Sequence, residues 1–257
     1  MRALSVVEIN EVTEPKKQKR TQSGKSTSDV IKSAYQSGNS EVFRCILELF
    51  AKPGFRIADV TYGKGVFWRS IDTDKYDFSP SDIDTGVDCR KLPYGNESLD
   101  MLVFDPPYME GLFRKKESHL AGSGTHKAFR EFYSNGKASH NELKYHDAVV
   151  DLYALTGLEA KRTLKDKGFF VVKCQDEVSA NRQKLTHVEL IYLYEKMGFY
   201  CKDIFVVMRS NAPVISRLVQ QQHSRKNHSY FLILQKFSNK SPYKNIREDL
   251  LERYGLI

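Results

Sequence analysis

The sequence predicts an α/β fold built on an open sheet, and three observations carry that expectation. First, the apolar run over residues 99–104 reads as a buried strand and ends at Asp105-Pro106-Pro107-Tyr108. Consecutive prolines forbid both helix and ladder pairing, so the chain must leave the sheet there with a fixed shape. Second, residues 55–68 read as strand, tight loop and helix start, with Gly63 and Gly65 in the loop. A Gly-x-Gly turn lets the backbone approach a ligand closely and exposes amides at the start of the next helix. Third, the patterns alternate later in the chain: an amphipathic helix over 148–164, a buried strand over 169–173, a helix over 187–197 closed by Gly198, and two last strands over 203–208 and 230–237. Open α/β sheets hold ligands outside the carboxyl ends of their strands, which is where the proline corner emerges.

Length and composition set the bounds. A chain of 257 residues suits one α/β domain of generous size and is short for two. Hydrophobic residues at 40% and charged residues at 28% describe an ordinary globular protein and exclude wholesale disorder. No apolar run approaches the roughly 20 residues needed to cross a bilayer. The first 30 residues lack a signal-peptide apolar segment, so a cytoplasmic setting and no membrane partner are expected. The formal charge of +8 favours a polyanionic partner. Cys45, Cys89, Cys174 and Cys201 are scattered without a C-x-x-C pair, so neither a zinc site nor a disulfide frame is expected.

Taken in order, residues 1–28 read as a flexible basic arm, with 29–237 as the folded domain and 238–257 as a short helical tail. Ser23-Gly24-Lys25-Ser26-Thr27 looks like the end of a phosphate-binding loop, but the pattern needs glycine where Lys19 stands, which excludes nucleoside triphosphate binding there. Between residues 30 and 52 apolar residues recur at helical spacing, with Ser40 or Asn39 as N-cap and Pro53-Gly54 as stop. The next strand is expected to end near residues 81–84, about 20 residues after the glycine loop. There an acid can accept hydrogen bonds from ribose hydroxyls, and Asp82 is the choice, with Asp84 the alternative. A third strand is expected to end near Asp88.

At the proline corner, Asp105 and the carbonyl of Pro106 can accept hydrogen bonds from both hydrogens of an exocyclic amino group, with Pro107 stiffening the turn and Tyr108 stacking on the ring that carries it. This tetrapeptide resembles the catalytic D-P-P-Y motif of S-adenosylmethionine-dependent amino-methyltransferases, above all the DNA adenine-N6 enzymes. Residues 59–65 are similar to that family's D-x-F-x-G-x-G cofactor motif, with Asp59, Gly63 and Gly65 in register and Thr61 where the family has Phe; Tyr62 and Phe67 are rings available to replace it. The likeness implies a Rossmann-like class I methyltransferase fold, a mostly parallel seven-stranded sheet with a terminal antiparallel strand. It further implies S-adenosylmethionine as cofactor, Asp88 accepting from the cofactor's adenine amino group, and Tyr35 and Asn39 near its methionine end.

Two basic stretches are left for the target. Residues 109–146 lack apolar periodicity and carry seven Lys or Arg, including Arg114, Lys115 and Lys116, against four Glu. A long loop at an active-site edge reads as a lid or recognition insert. Residues 209–228 hold Arg209, Arg217, Arg225 and Lys226 with no acid, a candidate phosphate clamp on a hairpin. DNA is the expected partner, and little material remains for sequence recognition, so loose specificity, a partner subunit or a homodimer is expected. The alternatives are an RNA methyltransferase (guanine-N2 or adenine-N6), a cytosine-N4 DNA enzyme and a non-catalytic nucleic-acid-binding subunit. Cytosine-C5 chemistry is disfavoured, because it uses a cysteine that follows proline and none here does. No metal is expected.

Overall fold

The computed structural model describes residues 30–108, 143, 145–209, 220–239 and 241–256. Its strands are β1 (Ala34–Tyr35), β2 (Arg56–Asp59), β3 (Asp77–Pro80), β4 (Leu99–Phe104), β5 (Leu164–Cys174), β6 (Glu177–Ser179), β7 (Arg182–Lys184), β8 (Phe199–Met208) and β9 (His228–Lys236). The α-helices are α1 (Asn39–Phe50), α2 (His146–Thr163), α3 (Thr186–Lys196) and α4 (Glu248–Arg253). Seven strands form one sheet in the order β1-β8-β9-β5-β4-β2-β3, and β6 and β7 make a separate hairpin. Within the seven-stranded sheet only β9 runs antiparallel to its neighbours, β5 and β8; β1 with β8, β2 with β3 and β4, and β4 with β5 are parallel. The mostly parallel sheet with a terminal antiparallel strand is the one expected. Within it, the segment Lys32–Ile257 forms one compact unit.

Alternation along the central strands makes the two layers. Leu102, Phe104, Phe170, Val172, Leu232 and Leu234 point into the layer under α2 and α3, against Tyr153, Leu190, Tyr194 and Phe199. On the opposite face Phe43 of α1 packs its ring 5.2 Å from Phe67, 4.9 Å from Trp68 and 6.2 Å from Phe231. Each fully buried side chain of this size contributes about 1.5–3 kcal/mol, so these pairings fix which face each odd- or even-numbered residue of a strand takes. A one-residue slip would exchange them all.

Three expectations need correction. No third strand forms near Asp88: residues 82–91 are successive turns closed by Gly86 N to Ile83 O (3.0 Å), Val87 N to Asp82 O (3.0 Å) and Lys91 N to Asp88 O (2.9 Å). Gly86, at φ +85°, permits this reversal. The seventh strand is instead β1, at the far edge. No α-helix follows the glycine loop, only a 3-10 turn over Val66–Trp68, because the chain must turn at once into a second short turn, capped by Asp72, and then β3. Finally, the N-cap of α1 is Gly38, not Ser40 or Asn39, and Asn39 lies inside the first turn.

The tail is tied to the domain. β8 slips register between Cys201 and Asp203. There Asn245 takes the place of a strand neighbour, accepting from Cys201 N and donating to Cys201 O at 2.9 Å each. The Cys201 amide and carbonyl are thereby both partnered. Lys196 and Glu248 add a 2.6 Å ion pair between α3 and α4. No helix among the described residues is long and apolar enough to cross a membrane.

Candidate active site

Two loops leave the carboxyl edge of the sheet side by side. Parallel pairing of β2 with β4 sets Asp59 opposite Val103, so the glycine loop and the proline corner start from adjacent strands. Asp59 is 3% exposed. Its carboxylate accepts from Trp68 Nε1 (2.7 Å) and Thr61 N (3.0 Å), which fastens both ends of the loop to the end of β2. Burial outweighs these hydrogen bonds and pushes its pKa up to about 7.

Thr61 has a role that the family pattern does not suggest. Its Oγ1 accepts from Asp105 N at 2.7 Å, so this hydroxyl joins the glycine loop to the proline corner, a link that a phenylalanine could not make. Gly63 and Gly65 have φ of +51° and +64°. A Cβ on Gly65 would lie 2.5 Å from Tyr62 Oη, since the Tyr62 ring folds across that glycine. Of the two rings named to replace the missing Phe, Tyr62 thus borders the loop and stands 6.0 Å from Phe78, whereas Phe67 is buried among Phe43 and Phe231.

Asp105 is partly buried at the tip of β4 and accepts from Tyr108 Oη at 2.9 Å. Burial raises its pKa to about 6 against the opposing effects of the Lys173 charge and the Tyr108 hydrogen bond. Tyr108 therefore engages Oδ1 and leaves Oδ2 as the carboxylate's other acceptor. Burial, with Asp105 beside it, keeps the Tyr108 phenol well above its ordinary range. Pro106 is buried and Pro107 partly so.

Beside the glycine loop lies a cleft lined by Val60, Thr61, Gly63, Asp82, Ile83, Asp84, Val87 and Cys89. Asp82 sits one residue past the Ser81 that receives Tyr62 N, and its carboxylate accepts from Gly63 N (3.0 Å) and Thr85 N (2.9 Å). Asp84 is exposed on the same rim. Asp88 is held in a two-pronged pair by Arg90, with Nη2 to Oδ2 at 2.8 Å and Nε to Oδ1 at 3.0 Å. Burial raises its pKa, but the guanidinium more than offsets this and leaves it below the usual carboxylate range.

Asn39 comes to the site and Tyr35 does not reach its centre. Asn39 Oδ1 accepts from Lys173 Nζ at 2.8 Å. Tyr35 is on the edge strand β1, four strand positions from β4, or about 19 Å at 4.7–4.9 Å per step. Ser37 Oγ, next to the Gly38 cap, is buried and has no partner among the described residues. Lys226 and the exposed Arg225 belong to the segment before β9, tied to the carboxyl end of β5 by Gln175 Nε2 donating to Lys226 O at 3.2 Å. Arg114, Lys115, Lys116 and Arg217 lie outside the described residues, as do the basic arm and almost all of the insert.

Lys173 is the site residue that sequence reasoning missed. It is 1% exposed at the carboxyl end of β5, and its signal was a lone charge closing the run Phe169-Phe170-Val171-Val172. A wider cavity of about 420 Å³ lies at the other edge of the sheet, bordered by Lys161, Tyr192, Gly198 and Tyr243. Among the described residues no buried acid or base lines it, whereas Asp59, Lys173 and the partly buried Asp105 gather at the carboxyl edge.

No family model and no curated protein matches the chain. Among solved structures it is similar to TrmN from Thermus thermophilus (13% identity, TM-score 0.44, covering 77% of this chain and 49% of that one). It is similar also to an S-adenosylmethionine-dependent methyltransferase from Methanosarcina mazei (10% identity, TM-score 0.44, covering 76% and 98%) and to the [4+2]-cyclase SpnF (14% identity, TM-score 0.43, covering 78% and 82%). The chain thus spans about half the length of the first of these.

Proposed function

We propose that the chain is an S-adenosylmethionine-dependent DNA methyltransferase acting on the N6 amino group of an adenine flipped out of the duplex. The observation that carries this reading is Asp105, an acceptor with a raised pKa at the tip of β4, bonded through its amide to the glycine loop that borders the cleft beside Asp82. The residues present fit the cofactor. The cleft joins apolar walls from Val60, Ile83 and Val87 to a carboxylate rim at Asp82, suited to adenine and ribose. The orphaned Ser37 hydroxyl at the start of α1 offers a donor for the methionine carboxylate.

When bound, S-adenosylmethionine supplies a methyl group already made electrophilic by its sulfonium. The protein's own task is to make the nitrogen a better nucleophile. Its lone pair is delocalised into the purine, and hydrogen bonds from both amino hydrogens, to Asp105 Oδ2 and the Pro106 carbonyl, favour the tetrahedral nitrogen of the transition state. The proton lost after attack passes to Asp105. Thr61 fixes the distance between donor loop and acceptor corner, which is alignment for in-line transfer. A base inside a duplex cannot reach Asp105, so it must be extruded, and the insert at 109–146 with the basic segment at 209–228 serves target recognition.

The test is to incubate the protein with radiolabelled S-adenosylmethionine and DNA or RNA, then digest to nucleosides. Label in N6-methyldeoxyadenosine is expected. Label confined to RNA, or in N4-methyldeoxycytidine, overturns the substrate, and no label with any nucleic acid overturns the activity. A pH series adds a second check: the transfer rate falls as pH drops through about 6, because protonated Asp105 loses acceptor capacity.

A further inference from the structure

A lysine ending an apolar strand between two packed layers needs a reason, since desolvating an ammonium is unfavourable unless something answers its charge. The register supplies one. Val103 pairs with Val171 and Phe104 with Val172, so the next step of the parallel ladder brings Asp105 beside Lys173 at about 4.8 Å between strands. On the other side Lys173 pairs with Phe231 of β9. These residues share the sheet face that packs on α1. There Lys173 Nζ donates to Asn39 Oδ1 at 2.8 Å and stands 3.8 Å from the centre of the Phe231 ring. An amide oxygen and a ring face hold the ammonium in place without cancelling its charge.

We infer that Lys173 is a positioning residue for Asp105: a buried ammonium, anchored on Asn39 and Phe231, that keeps the neighbouring carboxylate in its acceptor form and ties the first turn of α1 to the catalytic corner. The inference deepens the methyl-transfer reading and rests on it. The two groups act on each other in opposite senses. Burial drives the Lys173 pKa down to about 8 and that of Asp105 up to about 6, while each charge partly reverses the other's shift. Among the described residues, the remaining charged and titratable groups around the pair are Asp59 from β2, Tyr108 from the corner, Tyr153 from α2, Cys174 beside Lys173 and Arg209 just past the end of β8. Of these Arg209 alone brings a second positive charge, and it opposes that of Lys173.

The experiment compares wild type, K173M and K173R in the full chain, reading transfer to DNA against pH and S-adenosylmethionine affinity by calorimetry. K173M is expected to move the acid limb of the profile up by about one pH unit, which lowers the transfer rate about twofold at pH 7 and about fivefold at pH 6, with donor Kd within threefold of wild type. K173R is expected to return the limb toward its wild-type position. An acid limb that stays in place in K173M contradicts the inference while leaving the methyl-transfer reading intact. If wild type transfers nothing, that reading fails. The pair is then tested by carbon-13 NMR titration of the Asp105 carboxyl, which must move upward in K173M. Should K173M not fold, D105N serves instead: the Lys173 ammonium must titrate lower than in wild type, and an unchanged titration overturns the inference.

Discussion

Among the described residues two lysines are buried in the sheet, Lys173 at 1% exposure and Lys236 at 3%, and they stand at opposite edges. Lys236, at the amino edge of the parallel strands, makes a contact ion pair with Glu97 at 3.1 Å and donates to the Leu164 carbonyl. Its charge is answered on the spot, and the result is a clamp between β9, the start of β5 and the approach to β4. Lys173, at the carboxyl edge, donates to a neutral amide and lies against a ring, and it acts on Asp105 as a charge across the ladder. The same residue type in the same sheet thus serves as a structural tie at one edge and as a source of field at the other. Polarity left uncancelled in a buried place marks the functional edge.

Three changes break or sharpen that contrast. The largest effect is expected from Gly65→Ala, which sets a Cβ 2.5 Å from Tyr62 Oη at a φ of +64°. The Tyr62 ring must leave the loop, and calorimetry should show donor affinity reduced tenfold or more, with the amino edge unaffected. Next comes Lys236→Met. It strips the Leu164 carbonyl of its side-chain donor and is expected to lower stability by about 1–3 kcal/mol in urea unfolding, yet to leave the acid limb of the transfer profile where it is. The smallest is Asp105→Asn, a gain. The raised pKa of Asp105, about 6, means that the fold disfavours the carboxylate. That penalty is absent below the ordinary carboxylate pKa near 4 and complete once pH exceeds about 6. Asp105→Asn is therefore expected to be more stable by about 1–2 kcal/mol at pH 8, with the gain disappearing by pH 4.

The sheet was legible because its strands announce themselves through short-range constraints. Pro106 and Pro107 stop β4, Gly63 and Gly65 open the turn after β2, and Gly198 closes α3, each for a backbone reason that holds in any context. What was not legible depends on partners distant in sequence. β1 is two residues long and exists because β8 offers an open edge at Val206 and Val207. The strand expected near Asp88 fails because Asp82 and Thr85 cap one another and Asp88 binds Arg90, local bonds that compete with a ladder. Asn39 looked like a cap, and only the fold reveals that its amide faces a lysine 134 positions away. Thr61, noted as a departure from the family pattern, acquires its meaning only when the Asp105 amide is seen to need an acceptor.

Asp105→Ala is the decisive variant for the β4 corner, with methyl transfer to DNA and donor binding measured on the same preparation. Transfer is expected to fall about 1,000-fold or more while S-adenosylmethionine still binds within a few-fold of wild type. Turnover at the wild-type rate by that variant would contradict the assignment of the β4 corner as the catalytic centre.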